Sequence, residues 1–476
     1  MNEKNKSLLG GIPQLGNLLE RPEVREIRRK FGDGAVKITA RELISETRNA
    51  ILSGKRKKAL DGDELISEIE KRVRRLVLPE GRKAINATGI LLHTGLGRAP
   101  LCTDAVDSLS IFSGYSVLQA DLESGKRSLR EDKVEKMLIE LTGCEAATVV
   151  NNNAAATMLV LNSVSDGKEA IISRGQLIEI GGQFRMPDVM EKSRAIIREI
   201  GTTNRTHIRD YEKAINESTG AIIHVHTSNY KIRGFTGTPG ICELRKIADK
   251  HEGVALIDDL GSGALVPLSI YGLRDEPLVR DSISAGADLV CFSGDKLICG
   301  PQSGIICGRK EFIARIRNNP FARMFRVCKL TLAALETTLM HFINNDFEKK
   351  LPFYVMLSKD LDALQAKAKK LASALKKNKS LDVNVSEDKA FVGSGSAPDE
   401  GIKSFSVRVK LKVSEGNGFL EKASASLRNS IPSVFCRIHE DFLVFDMRTL
   451  LDDDYDFLVK NLHGSFSDIM KWHGKL

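Results

Sequence analysis

Apolar residues recur every three or four positions through the first eighty residues, in PEVREIRRKF from Pro22, ITARELISETRNAIL up to Gly54 and DELISEIEKRVRRLVL up to Pro79. That spacing predicts three amphipathic helices, with Pro and Gly at their boundaries. From about residue 84 to 340 the pattern becomes short, β-branched apolar runs alternating with helical stretches. ATVVN, EAIISR, GAIIHVHT, GVALIDD and ADLVCFS are the clearest strands. Continuous apolar strands between helices predict a mostly parallel sheet covered on both faces, an α/β body. Beyond about 341 a long amphipathic run, DLDALQAKAKKLASALKK, precedes the strands SFSVRVKL and FLVFDMRTL around a helix, FLEKASASLRN. The expected domains are therefore 1–75 (helical), 76–340 (α/β) and 341–476 (small α+β).

The composition narrows the functional classes. Of 476 residues, 42% are hydrophobic and 28% charged, ordinary for a soluble fold, while only 5% are aromatic, too few for extensive base-stacking platforms. The N-terminus has no apolar signal core, no run is long enough to cross a bilayer, and the eight cysteines form no CxxC pair. A cytoplasmic protein with reduced thiols is expected. The net charge is +9, and residues 1–83, with 20 Lys and Arg against 13 Asp and Glu, carry +7 of it. A basic module on a nearly neutral body predicts a polyanionic partner, through RRK at 28–30, KRKK at 55–58 and KRVRR at 71–75. Solvated helix faces would give the same patches.

Three strand ends carry candidate chemistry, and ligands of open parallel sheets bind beyond the carboxyl ends of the strands. After ATVV comes NNNAAATMLVL, polar capping residues followed by a helix-favouring run, whose free N–H groups form an anion site. After GVALI comes DDLGSG, whose carboxylate can hold a protonated ring nitrogen. After ADLVCFS comes SGDKLICGPQSGI, where Lys296 follows a buried strand among small residues. Desolvation there lowers the lysine pKa, as an amine that condenses with an aldehyde requires. Each feature alone also reads as a capped helix, a turn or a loop lysine. Their succession matches the needs of pyridoxal phosphate: a phosphate cradle, a partner for the ring nitrogen and an amine for the aldehyde.

INATGILLHTGLGRAPL, VVNNNAAA, SRGQLIEIGGQFRMPDVM, VHTSNYKIRGFTG, DLGSG, SGDKLICGPQSGIICG and NPFARMFRVCKLTLAALE, with the N-terminal IPQLGNLLE, resemble the bacterial selenocysteine synthases, the L-seryl-tRNA(Sec) selenium transferases. The resemblance spans nearly the whole chain. It implies a fold type I pyridoxal phosphate enzyme that converts seryl-tRNA(Sec) to selenocysteinyl-tRNA(Sec) through an aminoacrylyl intermediate, with selenophosphate as donor. It implies Lys296 as the cofactor lysine, with Asp295 beside it for proton transfer, and Asp259 as the partner of the ring nitrogen. Its neighbour Asp258 stays open for that role. Asn152, Asn153 and Ala154 are implied for the cofactor phosphate, and Arg98, Arg323 and Arg326 for the donor. His93 and His226 lie in matching motifs, as proton carriers, ring contacts or structural histidines. The resemblance further implies that the basic module docks the tRNA body and that the subunits form a pentamer of dimers.

Some positions depart from the expected pattern: Gly95 for asparagine, Gln176 for glutamate and Cys328 for aspartate, and IPSVFCRIHEDFLVFDMRTL lacks the usual Pro-Val and Gly. Two alternatives stand beside the main expectation. One is a related pyridoxal phosphate lyase or transferase acting on a small amino acid or sugar acid. The other is an inactive tRNA-binding homologue.

Overall fold

The structure, a computed structural model, describes residues 3–56, 62–77, 81–182, 184–273, 276–412 and 418–473. The chain divides into two compact units, Met1–Lys83 and Ala84–Leu476.

In the first unit, the three expected helices are α1 (Pro22–Phe31), α2 (Asp33–Leu52) and α3 (Gly62–Val77). Each turns one apolar stripe inward: Val24 and Ile27, then Val36, Ala40 and Leu43, then Leu65, Ile69 and Val73 form one small core. The basic patches are partly neutralised. Arg28 pairs with Asp33, Arg72 with Glu46 and Glu68, and Arg74 with Glu70. Arg29, Arg41 and Arg48 stay exposed with no carboxylate partner among the described residues, and exposed Arg75 acts on Glu68 without a close ion pair. Lys57 and Lys58 of KRKK, and Leu78 and Pro79 at the expected end of α3, lie outside the described residues.

The second unit is built on a seven-stranded sheet. Its strands are β1 (Ala146–Val150), β2 (Glu169–Ser173), β3 (Ile196–Ile200), β4 (Thr219–Val225), β5 (Ala255–Gly261), β6 (Leu289–Ser293) and β7 (Gly304–Gly308), in the order β1-β7-β6-β5-β4-β2-β3. Neighbours from β6 through β3 run parallel, and β7 is antiparallel to both β1 and β6. The mostly parallel, two-sided sheet expected from the sequence is present. Alternate residues feed two cores: Ile222, Leu256 and Val290 point to one face, Ile223, Ile257 and Cys291 to the other. On the second face lies α5 (Asn153–Ser165), and on the first lie α4 (Asp132–Thr142) and α6 (Lys329–Ile343).

The C-terminal part forms an antiparallel sheet of β8 (Leu381–Gly393), β9 (Ser396–Leu411), β10 (Arg437–His439) and β11 (Phe442–Asp446), covered by α7 (Leu361–Leu375) and α8 (Phe419–Asn429). The start of the unit is stitched to this part. Ala84–Asn86 pairs in parallel with Ser433–Phe435, and Leu91 and Leu92 donate to the carbonyls of Phe391 and Val392. Residues 84 to 92 thereby join the two halves into one unit.

Candidate active site

Lys296 stands in the tight turn after β6, whose five residues are all buried. Gly294 makes that turn possible, because a Cβ there would lie 2.1 Å from Ser303 Oγ. The Gly294 N–H donates to Ser303 O, and Gly300 returns a bond to Gly294 O, both at 2.9 Å. Lys296 is 7% exposed. Burial first, and then the cation of Arg98, hold its pKa below the ordinary lysine range, while Asp295, Asp259 and Glu276 pull the other way. The amine expected from the sequence is therefore in place: desolvated and biased toward its neutral form.

Asp295 accepts from Arg98 Nη1 at 2.5 Å. Arg98 reaches it from the loop after His93, where Gly97 and Arg98 both take left-handed backbone (φ 92° and 64°) and the Arg98 N–H donates to His93 O at 3.0 Å. Gly95 has a local consequence: a Cβ there would press on the His93 ring at 3.3 Å. His93 Nδ1 is buried without a hydrogen-bond partner.

The alternation along β5 separates the two aspartates. Asp259 shares the face of Ile257 and meets α5, accepting from Asn153 Nδ2 at 2.8 Å, Thr157 Oγ1 at 2.7 Å and the Gly261 N–H at 3.1 Å. Asp258 points to the opposite face and pairs with His224 Nδ1 at 2.8 Å. Asp259 is fully buried, and desolvation raises its pKa against the pull of those donors. A cationic ring nitrogen at such a carboxylate would restore the charged form. His226 follows the neighbouring strand, and its N–H donates to Asp259 O at 2.9 Å.

Asn152 is the N-cap of α5, its side chain accepting from the Ala155 N–H at 2.9 Å. This leaves the N–H groups of Asn153 and Ala154 in the first turn, which has no intrahelical acceptor for them. On the facing strand, Gly304 keeps the cradle narrow, since a Cβ there would fall 2.1 Å from Asn152 O. Asn153 Oδ1 is buried without a partner. A cleft of about 370 Å³ opens here, lined in part by Asn152, Ala154, Phe184, Arg185 and Phe325. An anion cradle, a buried carboxylate and a neutralisable lysine are gathered at the carboxyl edge of β1, β5 and β6, and this set fits pyridoxal 5'-phosphate. Among the described residues no His, Cys, Asp and Glu cluster could hold a metal ion.

Arg323 lies in the last turn of the short helix Pro320–Met324, and Arg326 follows that helix. Their segment runs beside the cradle, Arg326 bridging to Val150 and Asn151 donating to Phe325 O at 2.9 Å. The three expected arginines thus fall into two groups, Arg98 at Lys296 and Asp295, and the pair beside β1. The sequence reading missed Arg130, whose Nη1 donates to Val327 O at 3.1 Å. Its only sequence signal is membership of GKRSLR, a basic turn like many others. Gln176 is buried with Oε1 unpartnered, where a glutamate would carry a buried charge. Cys328 caps α6, its Sγ accepting from the Thr331 N–H at 3.5 Å.

The fold and this constellation define a fold type I pyridoxal phosphate enzyme, and the cofactor is pyridoxal 5'-phosphate. The solved structure of a D-glucosaminate-6-phosphate ammonia-lyase shares the fold, with a TM-score of 0.56 and 19% identity over 83% of this chain and 97% of that one. Residues 84–451 match the family described as SelA: L-seryl-tRNA selenium transferase. The L-seryl-tRNA(Sec) selenium transferase of Carboxydothermus hydrogenoformans is 43% identical, over 96% of this chain and 97% of its own. That of Aquifex aeolicus is 44% identical, over 96% and 98%. The chain belongs to the L-seryl-tRNA selenium transferase family.

Proposed function

We propose that this protein converts seryl-tRNA(Sec) to selenocysteinyl-tRNA(Sec), taking selenium from selenophosphate. The observation that carries the reading is the buried Lys296, its charge disfavoured by desolvation and by Arg98, beside Asp259 and the capped α5 cradle. Retention of that set argues against an inactive homologue. The basic N-terminal unit argues against a small-substrate lyase.

Pyridoxal phosphate, when bound, supplies an aldehyde for amines and a ring that delocalises a carbanion. Asn152 orients the first turn of α5, so that the Asn153 and Ala154 N–H groups bind the cofactor phosphate. Asp259, fixed by Asn153 and Thr157, would keep the ring nitrogen in its cationic form, and His226 would contact the ring. Lys296 would hold the cofactor at its aldehyde and, as a neutral amine, would take the Cα proton of the seryl group. Asp295, beside it, holds Arg98 and shares in proton transfer to the departing hydroxyl. Arg98, Arg323 and Arg326 bind the phosphoryl group of the donor, since guanidinium forks match phosphate oxygens and keep their charge.

The unpaired Arg29, Arg41 and Arg48 support residues 1–75 as the tRNA-binding domain, with the α/β body over 76–340 and the small α+β domain over 341–476. Exposed Tyr115, Val117, Leu122 and Phe235 support a homo-oligomer in which partner subunits cover them, as a pentamer of dimers. Among the described residues no helix is long and apolar enough to cross a membrane, and a cytoplasmic location accords with the tRNA substrate. The test is anaerobic incubation of the cofactor-loaded protein with seryl-tRNA(Sec), with and without selenophosphate. Selenocysteinyl-tRNA formed only with both substrates establishes the reading. A yellow, borohydride-sensitive protein that leaves seryl-tRNA untouched transfers the function to a small-substrate reaction.

A further inference from the structure

The guanidiniums of Arg326, Arg323 and Arg127 all act on that of Arg130, near the segment paired with β1. Arg127 lies in the turn whose Ala120–Arg127 bridge closes residues 120 to 127, Arg130 in the turn before α4, and Arg323 and Arg326 in the segment paired with β1. None of the four has a carboxylate within ion-pairing distance among the described residues. Glu131, the nearest acid in sequence, instead accepts from Thr148 Oγ1 at 2.5 Å and faces Arg317 at 3.6 Å. Arg130 is the most enclosed of them. Nη1 holds Val327 O at 3.1 Å, Nη2 holds Gln119 Oε1 at 2.9 Å, and Nε is buried with no acceptor. Burial, then Arg326, Arg323 and Arg127, weaken its hold on its proton, while Glu131 strengthens it. Like charges gathered with only Glu131, itself hydrogen-bonded to Thr148, as a partial counter-charge cost free energy that a bound anion would offset.

We infer that Arg130 is a positioning residue of the donor subsite, tying the Val327 carbonyl so that Arg323 and Arg326 face one compact phosphoryl dianion. The inference rests on the donor reading given above for those two arginines. Arg130 acts on them through the backbone, since Val327 directly follows Arg326, and through its own charge, which favours a dianion over a monoanion. The α5 cradle takes the cofactor phosphate, so this second cationic cluster serves a second phosphoryl group. A lysine in place of Arg130 would keep a charge but could not reach Val327 O and Gln119 Oε1 with one planar fork.

The experiment compares full-length, cofactor-loaded wild type with Arg130→Gln, Arg130→Lys and Arg323→Ala. It measures KM for selenophosphate, kcat, inhibition by inorganic phosphate, and cofactor retained after dialysis. The expected result for Arg130→Gln is a donor KM raised about 10-fold or more, phosphate inhibition weakened in parallel, kcat within about 3-fold and cofactor retention unchanged. Arg130→Lys recovers only part of the loss. An unchanged donor KM in Arg130→Gln while Arg323→Ala raises it overturns the inference alone. An unchanged KM in Arg323→Ala removes the donor reading and the inference with it. Loss of cofactor from Arg130→Gln also overturns it, by assigning the cluster to the cofactor phosphate. If Arg130→Gln does not fold, Arg130→Lys decides: a raised donor KM supports the inference, and an unchanged one overturns it.

Discussion

Arg98 and Asp295 form a 2.5 Å ion pair at the shoulder of Lys296, and the two act on the lysine with opposite sign: Arg98 disfavours its ammonium and Asp295 favours it. Arg98 is held for this in left-handed backbone (φ 64°), a conformation that costs a residue with a side chain on the order of 1 kcal/mol. Arg98→Met therefore raises the Lys296 pKa, and Asp295→Asn lowers it further. Only the neutral amine condenses with an aldehyde, so below the lysine pKa the capture of free pyridoxal phosphate follows the neutral fraction. At pH 7 the cofactor-free Arg98→Met protein should take up pyridoxal phosphate several-fold more slowly than wild type, and Asp295→Asn faster. Stopped-flow absorbance across pH 6 to 10 reads this. Superimposable profiles for the three proteins would show that the pair does not tune the lysine.

On the proposed mechanism, Lys296→Ala removes both the anchor and the proton acceptor. Turnover of seryl-tRNA(Sec) should fall by about 10³-fold or more, as for loss of a nucleophile that doubles as a base, with tRNA affinity unchanged within about 2-fold. A filter-binding titration beside the turnover assay separates these. Residual turnover within 10-fold of wild type would remove Lys296 from the chemistry.

Asp259 combines its proposed role toward the cofactor with a structural one. Asp259→Ala strands the Asn153 amide and the Thr157 hydroxyl in a buried site, at a cost of about 1–3 kcal/mol in stability. Asp259→Asn keeps the shape and loses the charge, so cofactor chemistry should fail while the unfolding midpoint moves less than in the alanine variant. Denaturant melts of both variants, without cofactor, would decide. Equal destabilisation would show that the oxygens matter only as hydrogen-bond acceptors.

The site was legible in the sequence where one segment carries its own physics. Lys296 after a five-residue buried strand, Asn152 before an alanine-rich helix and an aspartate at the end of β5 are all read from neighbours along the chain. The choice between Asp258 and Asp259 was not, because strand alternation says only that they face opposite ways, and α5 decides which face is which. The strand Gly304–Gly308 follows a stretch dominated by turn chemistry. Its place between β1 and β6, antiparallel to both, depends on pairings more than a hundred residues distant on one side. The same holds for Arg130, whose significance comes from Val327, and for the strand at Ala84–Asn86, whose partner is at Ser433–Phe435. Long-range pairing is fixed by the three-dimensional match of whole elements, and no local composition reports it.

Removal of residues 1–83 as a unit should separate catalysis from docking. The exposed, unpaired arginines of that unit predict a contact with the nucleic acid that weakens steeply with salt. The truncated protein should keep its cofactor and lose tRNA affinity at low salt by about 10-fold or more, with a shallower slope of log affinity against log salt. Unchanged affinity and slope would assign tRNA binding to the remainder of the chain.

Asp446 gives the C-terminal part a pH dependence of its own. Its carboxyl is fully buried, and desolvation raises its pKa to about 6, although it accepts from Ser404 and from the Arg448 N–H at 2.8 Å. Oδ2 has no hydrogen-bond partner and stands where a Cβ on Gly89 would meet it at 2.9 Å. The folded protein thus binds this proton more tightly than the unfolded chain, whose aspartate titrates near 4. Between those values the unfolded state has already ionised while the folded state has not, so the contribution of Asp446 to stability is fully present below pH 4 and is lost as the pH rises through 6. Two pKa units correspond to about 3 kcal/mol. Asp446→Asn cannot ionise and escapes that loss, so its stability relative to wild type should improve between pH 4.5 and pH 7.5 by on the order of 2–3 kcal/mol. Denaturant unfolding of both proteins at the two pH values measures the difference. An offset independent of pH would mean that Arg437, 3.9 Å from Oδ2, keeps the carboxylate charged throughout.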